Sequence, residues 1–175
     1  MAITSELSAD THFSADQLAA ALERLGERTS RWRSLARFDP SGRWWCRLHT
    51  SEQADIWLLS WLAGQSTDLH DHGQSAGAFL VVQGELTEVR AWPDTAQTTT
   101  TIVPTGRAVA IAPSTVHDVY NAGPAAAISL HAYSPPLESM SFYAPHPNGQ
   151  ALARVRTVET RGESRRGRRK WAVPA

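Results

Sequence analysis

Cysteine is nearly missing from this sequence. Cys46 stands alone among 175 residues, which excludes an internal disulfide framework and any cysteine-built zinc site. Long apolar runs are missing as well. No stretch approaches the roughly 20 residues needed to span a bilayer, so a membrane is not expected as a partner. The first residues, Met-Ala-Ile-Thr-Ser-Glu, hold neither a basic n-region nor an apolar h-region. No signal peptide is therefore expected, and a cytoplasmic location is. There is no excess of charge of either sign: Lys+Arg and Asp+Glu balance at 17 each, leaving no global field to attract nucleic acid. The local exception is Arg161 to Lys170, and a solvated, poorly ordered basic tail over 161–175 is the expectation.

What is present has the length of one ordinary domain, and 42% hydrophobic residues suffice for one sizeable core. Ser14 followed by Gln17 reads as a capping box. Behind it Leu18, Ala21, Leu22 and Leu25 recur at helical spacing, which predicts an amphipathic helix over 15–28. A second short helix over Ser30 to Arg37 would be stopped by Asp39-Pro40-Ser41-Gly42, a strong turn signal. Beyond Gly42 the texture changes. Trp44 to His49, Asp55 to Leu62, Ala78 to Val82, Glu85 to Trp92, Thr98 to Val103, Ala108 to Ile111, Val116 to Tyr120, Ala126 to Tyr133 and Ala151 to Val158 all read as short strands. Gly84, Pro93-Asp94, Pro104-Thr-Gly106, Pro113 and Asn121-Ala-Gly123-Pro124 punctuate them, as in a β-sandwich or barrel. The threonine run from 98 to 101 suits an outer strand with a polar side. The expected organisation is one mainly β domain: an N-terminal helical segment (1–42) packed on a barrel (43–160), followed by the tail.

The chemistry lies in the histidines. His70 and His72 are at i and i+2, so on an extended strand both imidazoles point to one face and can aim at one ion. Asp71 between them points the other way. His117 is carried by a later strand, in Pro113-Ser-Thr-Val-His117-Asp-Val-Tyr-Asn121, and is a third candidate ligand. Three neutral imidazoles leave a divalent ion its full charge and, if it is octahedral, three open positions on one side; zinc with three histidines and a water is the chemical competitor. His12 and His146 are expected to face solvent, and His49 ends a strand with no role beyond the rim of a pocket. Ser129, His131 and Tyr133 alternate along one strand face, so a hydroxyl, an imidazole and a phenol can form a hydrogen-bonded line.

Two resemblances follow from these residues. The spacing Gly64-x5-His70-x-His72-x4-Gly77-x6-Gly84 is similar to the first motif of the cupins, small jelly-roll-like β-barrels that bind a metal inside. His117-x3-Asn121 matches part of the second motif, with its usual glycine absent. Most cupins place a glutamate ligand where this chain has Gly77. More specifically, His70-Asp-His72, Gly77 to Leu86, His117 and Ser129-Leu-His131-Ala-Tyr133-Ser-Pro-Pro136 resemble the cysteine dioxygenase type I family, over roughly Trp44 to Tyr143. The resemblance implies a cupin barrel and a mononuclear non-haem Fe(II) enzyme that adds both atoms of O2 to the sulfur of a small thiol. It implies His70, His72 and His117 as iron ligands and Ser129, His131 and Tyr133 as a catalytic relay. Arg47 matches the arginine that clamps the carboxylate in cysteine-specific members, a role suited to a bidentate guanidinium fork. Trp61 and Phe79 are expected to wall the substrate pocket beside Tyr133. A bacterial member of the arginine type, monomeric, converting L-cysteine to cysteine sulfinate, is the leading expectation. A dioxygenase for another thiol such as 3-mercaptopropionate, or a non-catalytic metal-binding cupin sensor, are the alternatives. In animal members a cysteine at the Gly77 position is linked to the tyrosine; no such link can form here. The family's cis peptide would fall at Ser134-Pro135, X-Pro being its common setting.

Overall fold

The structure is a computed structural model that describes residues 12–160. The basic tail expected at 161–175 lies outside the described residues. The N-terminal helix, α1 (Ala15–Gly26), starts as its sequence requires. Gln17 N–H donates to Ser14 Oγ at 3.3 Å, and Ser14 N–H donates to Gln17 Oε1 at 2.8 Å, satisfying two donors that the first turn leaves unpaired. Its apolar side buries Leu18 and Leu22. No helix among the described residues is long and apolar enough to cross a membrane.

The strands are β1 (Trp44–Thr50), β2 (Asp55–Trp61), β3 (His70–Asp71), β4 (Ala76–Gln83), β5 (Glu85–Trp92), β6 (Gln97–Pro104), β7 (Ala108–Ile111), β8 (Val116–Tyr120), β9 (Ala127–Ser134), β10 (Ser139–Pro145) and β11 (Leu152–Glu159). They form two antiparallel sheets, ordered β1-β2-β9-β4-β7 and β11-β10-β3-β8-β5-β6. The threonine-rich β6 is an outer strand, paired only with β5.

Alternation along β9 explains how the two cores divide. All eight of its residues are buried, because both faces of its sheet are covered. Ile128, Leu130 and Ala132 point out to α1, where they join Leu18, Leu22, Trp32, Leu58, Ala78 and Leu80. Ala127 and Tyr133 point in, with Trp57, Trp61, Phe79, Leu86, Val103 and Val119, and Ser129 and His131 share that inward parity. The polar line of β9 is thus set among apolar side chains. Gly26 lets α1 lie close on this sheet, since a Cβ there would come within 2.6 Å of Leu80 Cδ2. Gly84 makes the tight β4–β5 turn at φ +74°, where a Cβ would also meet the Ala126 carbonyl at 2.9 Å.

Three details differ from the sequence expectation. The helix stops at Gly26, and Ser30 to Arg37 forms two 3-10 turns, Thr29–Arg31 and Arg33–Leu35, in place of a second helix. Trp32 sits between them at φ −135°, buried against the sheet, and that anchor interrupts helical continuation. The extended segment expected to carry the histidine pair is only two residues long as β3, with His72 just past its end, and β10, which follows Pro136 and ends at Pro145, has no counterpart in the sequence expectation.

Candidate metal centre and its cavity

Strand pairing brings the three histidines together. His70 on β3 is directly opposite His117 on β8, and His72 follows just past the end of β3. Their rings form a triangle, with centroids 4.8 Å (His70–His72), 4.8 Å (His70–His117) and 5.1 Å (His72–His117) apart. All three are buried, and their nearest ring nitrogens lie within 4.8 Å of one another. His70 Nδ1 lies 2.8 Å from the carbonyl of Asp68, which can only accept, so the proton is on Nδ1 and the Nε2 lone pair is free. That Nε2 is 3.0 Å from His72 Nε2. Two nitrogens at right angles on an ion about 2.1 Å away would be separated by about 3 Å. His117 Nε2 is buried without a hydrogen-bond partner, while its Nδ1 donates to Glu88 Oε1 at 3.0 Å. An orphaned buried nitrogen facing two others is costly unless something fills the gap, and a divalent ion fits.

Electrostatics keep the site ready for a cation. Burial, reinforced by the neighbouring histidines, holds His70 and His72 well below the ordinary imidazole range, so both are neutral and able to ligate. Asp71 points away from the ion position as its place on the strand requires. Its Oδ2 accepts from Tyr143 O–H at 2.6 Å and its Oδ1 from Gly73 N–H at 2.9 Å, which clamps the loop that carries His72.

Beside the histidines runs the line on β9. Trp61 Nε1 is 2.8 Å from Ser129 Oγ, and an indole N–H can only donate. The serine hydroxyl then gives its own proton to His131 Nε2, 2.8 Å away. This assigns the proton of neutral His131 to Nδ1, which faces Tyr133 Oη across a long 3.5 Å contact. Burial first, then the charge of Arg43, lowers His131 to about 3. Burial pushes the Tyr133 phenol up from its ordinary value. Neither group titrates near neutrality. Phe79 stacks on His131 with centroids 5.5 Å apart, and Tyr133 lies edge-on to His72 at 4.6 Å. Gly77, opposite Tyr133 in the β4–β9 register, leaves room for that phenol ring. The Ser134-Pro135 bond just after it is cis.

A cavity opens over this centre. His70, His117, His131 and Tyr133 line it, with Trp45, Trp57, Leu59, Leu137, Met140 and Phe142 as apolar wall. Trp61 and Phe79 are fully buried beside His131 and are not among the cavity-lining side chains; they hold Ser129 by a hydrogen bond and His131 by stacking. Arg47 is not among the lining side chains either. Its guanidinium lies 4.3 Å over the Trp57 ring, with Nε 3.9 Å from Asp55 Oδ1. The arginine that lines the cavity is Arg43. It stacks 4.9 Å over Trp61, donates from Nη1 to the Ser66 carbonyl, and keeps a buried Nε without a partner. Burial lowers its guanidinium to about 10, still protonated at neutral pH. Arg43 precedes β1 and so falls outside any strand expected from sequence; its parity with Trp45 is the available signal. Cys46 is half-buried on the helix side of the sheet, a small filler away from the cavity.

The profile of the cysteine dioxygenase type I family matches residues 1–145, most of the chain and every side chain of the centre. The chain belongs to this family. Solved structures agree on the fold. The TT1209 protein from Thermus thermophilus is 22% identical with a TM-score of 0.54, over 59% of this chain and 93% of that one. An uncharacterized conserved protein with a double-stranded β-helix domain from Klebsiella pneumoniae subsp. pneumoniae is 17% identical with a TM-score of 0.52, over 59% and 85%. A recombinant oxalate oxidase in complex with glycolate is 16% identical with a TM-score of 0.51, over 59% and 56%. At these identities the likeness establishes the cupin barrel alone. Membership of the cysteine dioxygenase type I family, with the three-histidine cluster, makes a metal-dependent thiol dioxygenase the general class to which the site belongs.

Proposed function

We propose that the protein is an Fe(II) dioxygenase that converts L-cysteine and O2 to cysteine sulfinate, in a monomeric, cytoplasmic enzyme. The observation that carries this reading is the three-imidazole cluster, its His72 edge to face with Tyr133 at the end of the Ser129–His131–Tyr133 line. His70, His72 and His117 would hold the ion, which when bound supplies a site for the thiolate and for O2. The overall change balances as R–SH + O2 → R–SO2H, with sulfur losing four electrons and both oxygens ending on sulfur.

This chain's own residues orient and protect. Arg43 receives the substrate carboxylate, since it is the cation lining the cavity and its Nε has no other use. Trp57 Nε1, also buried without a partner, offers a second donor there. Because His131 Nδ1–H is directed at the Tyr133 oxygen, the phenol's own O–H is left to donate into the cavity, where it steadies negative charge developing on oxygen. The apolar wall excludes water and strengthens these interactions. Fixing sulfur and O2 in one small space turns an encounter into an intramolecular step.

A second thiol is favoured by one observation: among the described residues no carboxylate lines the cavity to meet a substrate ammonium. A thiol acid without an amine, such as 3-mercaptopropionate, therefore fits the same walls. Anaerobic loading with Fe(II), followed by O2 uptake and product analysis with L-cysteine, 3-mercaptopropionate and cysteamine, tests the reading. L-cysteine should give sulfinate. A preference for cysteamine, which lacks the carboxylate, would count against Arg43. An iron-loaded protein with no thiol-dependent O2 uptake would be a binding module instead.

A further inference from the structure

Three imidazoles bring no negative charge to the ion they would hold, and among the described residues no acidic side chain lines the cavity. The rings also differ in what stands behind them. His70 Nδ1 is turned to a backbone carbonyl, and His72 Nδ1 is buried without a partner. Behind His117 is a carboxylate. Glu88, 3% exposed on β5, places Oε1 3.0 Å from His117 Nδ1 and Oε2 3.1 Å from Arg90 Nε. Arg90 continues the chain, with Nη2 donating to the Ala110 carbonyl at 2.8 Å. Ala110 belongs to β7 of the opposite sheet, so the link runs from one sheet through the histidine's support to the other.

We propose that Glu88 is the charge partner of the metal centre and Arg90 the residue that fixes it. This assignment rests on the three-histidine reading above. A carboxylate accepting from Nδ1–H sets the tautomer, turns the Nε2 lone pair to the ion and makes the imidazole a better donor. Here it also supplies, one residue removed, the negative charge that the ligands lack. Glu88 is a positioning residue: it touches neither the cavity nor the ion. A plain barrel-wall ion pair would need the Arg90 contact but not the short approach to His117.

The test is titration of the metal-free protein with Co(II), followed by its visible absorption, for native protein, E88Q and Arg90→Met. Glutamine keeps the size of Glu88 and an oxygen for Nδ1–H but removes the charge. Co(II) affinity should fall about 10- to 100-fold in E88Q and less in Arg90→Met, which leaves the carboxylate's charge in place. Native protein that binds Co(II) while folded E88Q binds it within about twofold as tightly would overturn the role of Glu88 alone. Native protein that binds no Co(II) would overturn the three-histidine reading and this assignment with it. A second measurement needs no variant: in the Zn(II)-loaded native protein, nitrogen-15 spectra should show His117 protonated at Nδ1. A His117 protonated at Nε2 would refute the assignment even if E88Q failed to fold.

Discussion

Replacing Arg43 with Gln should remove most of the preference for thiols that carry a carboxylate. The guanidinium has five N–H donors and uses one on the Ser66 carbonyl; of the four left, the buried Nε and one on Nη2 can form a carboxylate fork. Hydrogen bonds to a charged group contribute roughly 1.5–3 kcal/mol each, so two give at least about 3 kcal/mol at the low end of that range. At about 1.4 kcal/mol per tenfold, the loss in kcat/KM for L-cysteine is on the order of 10²-fold or more. Most of it should appear in KM, because the carboxylate is held alike before and during reaction. Cysteamine, with no carboxylate, should lose less than about threefold, within the spread of an unremarkable substitution. Arg47→Gln should have a small effect on both thiols, since Arg47 lies over Trp57 and beside Asp55 rather than in the cavity. Steady-state O2 uptake for the two variants and two thiols measures all four values. A large loss in Arg47→Gln with little in Arg43→Gln would refute the reasoning and restore the clamp to Arg47.

Tyr133→Phe keeps the ring against His72 and removes the hydroxyl; kcat should drop roughly 10²-fold with KM changed far less, as read by the same assay. His117→Ala removes an imidazole whose Nε2 faces the other two, and the purified protein should retain no stoichiometric metal by elemental analysis. Metal-free protein should also be acid-labile. An unfolded imidazole takes up a proton below about pH 6.5, whereas burial, with the nearby Arg43, keeps folded His131 neutral down to about pH 3. The unfolded chain then binds more protons across that window. The contribution of His131 is complete above about pH 6.5 and is lost as pH falls, by about 1.4 kcal/mol per pH unit. His70 and His72 act in the same direction. Urea unfolding at about pH 7.5 and about pH 5.5, on either side of the ordinary imidazole value, measures the loss, and unchanged stability would contradict the neutral buried imidazoles.

Where a strand has a clear period its place was legible: β5, β7 and β8 begin and end where Glu85, Ala108 and Val116 announce them. The site was legible too in its inward-pointing residues, because a period of two puts Ser129, His131 and Tyr133 on one face whatever the tertiary context. Position along a face was not. Arg43, Trp45 and Arg47 share one parity, and only the packed structure shows that Arg43 reaches the cavity while Arg47 stops over Trp57. Trp61 and Phe79 likewise read as wall residues but lie one layer deeper. Glu88 and Arg90 look like the polar side of an outer strand, yet they share the parity of Leu86, a core residue, and that parity was the signal for an inward-facing acid.

On the proposed reading, His70, His72 and His117 hold one iron, and both oxygens of O2 end on a thiol sulfur. The most direct measurement is mass analysis of the product formed from L-cysteine under 18O2 by protein loaded anaerobically with one equivalent of Fe(II). Cysteine sulfinate carrying two 18O atoms is the predicted result. Disulfide alone, or sulfinate with oxygen drawn from water, would contradict it.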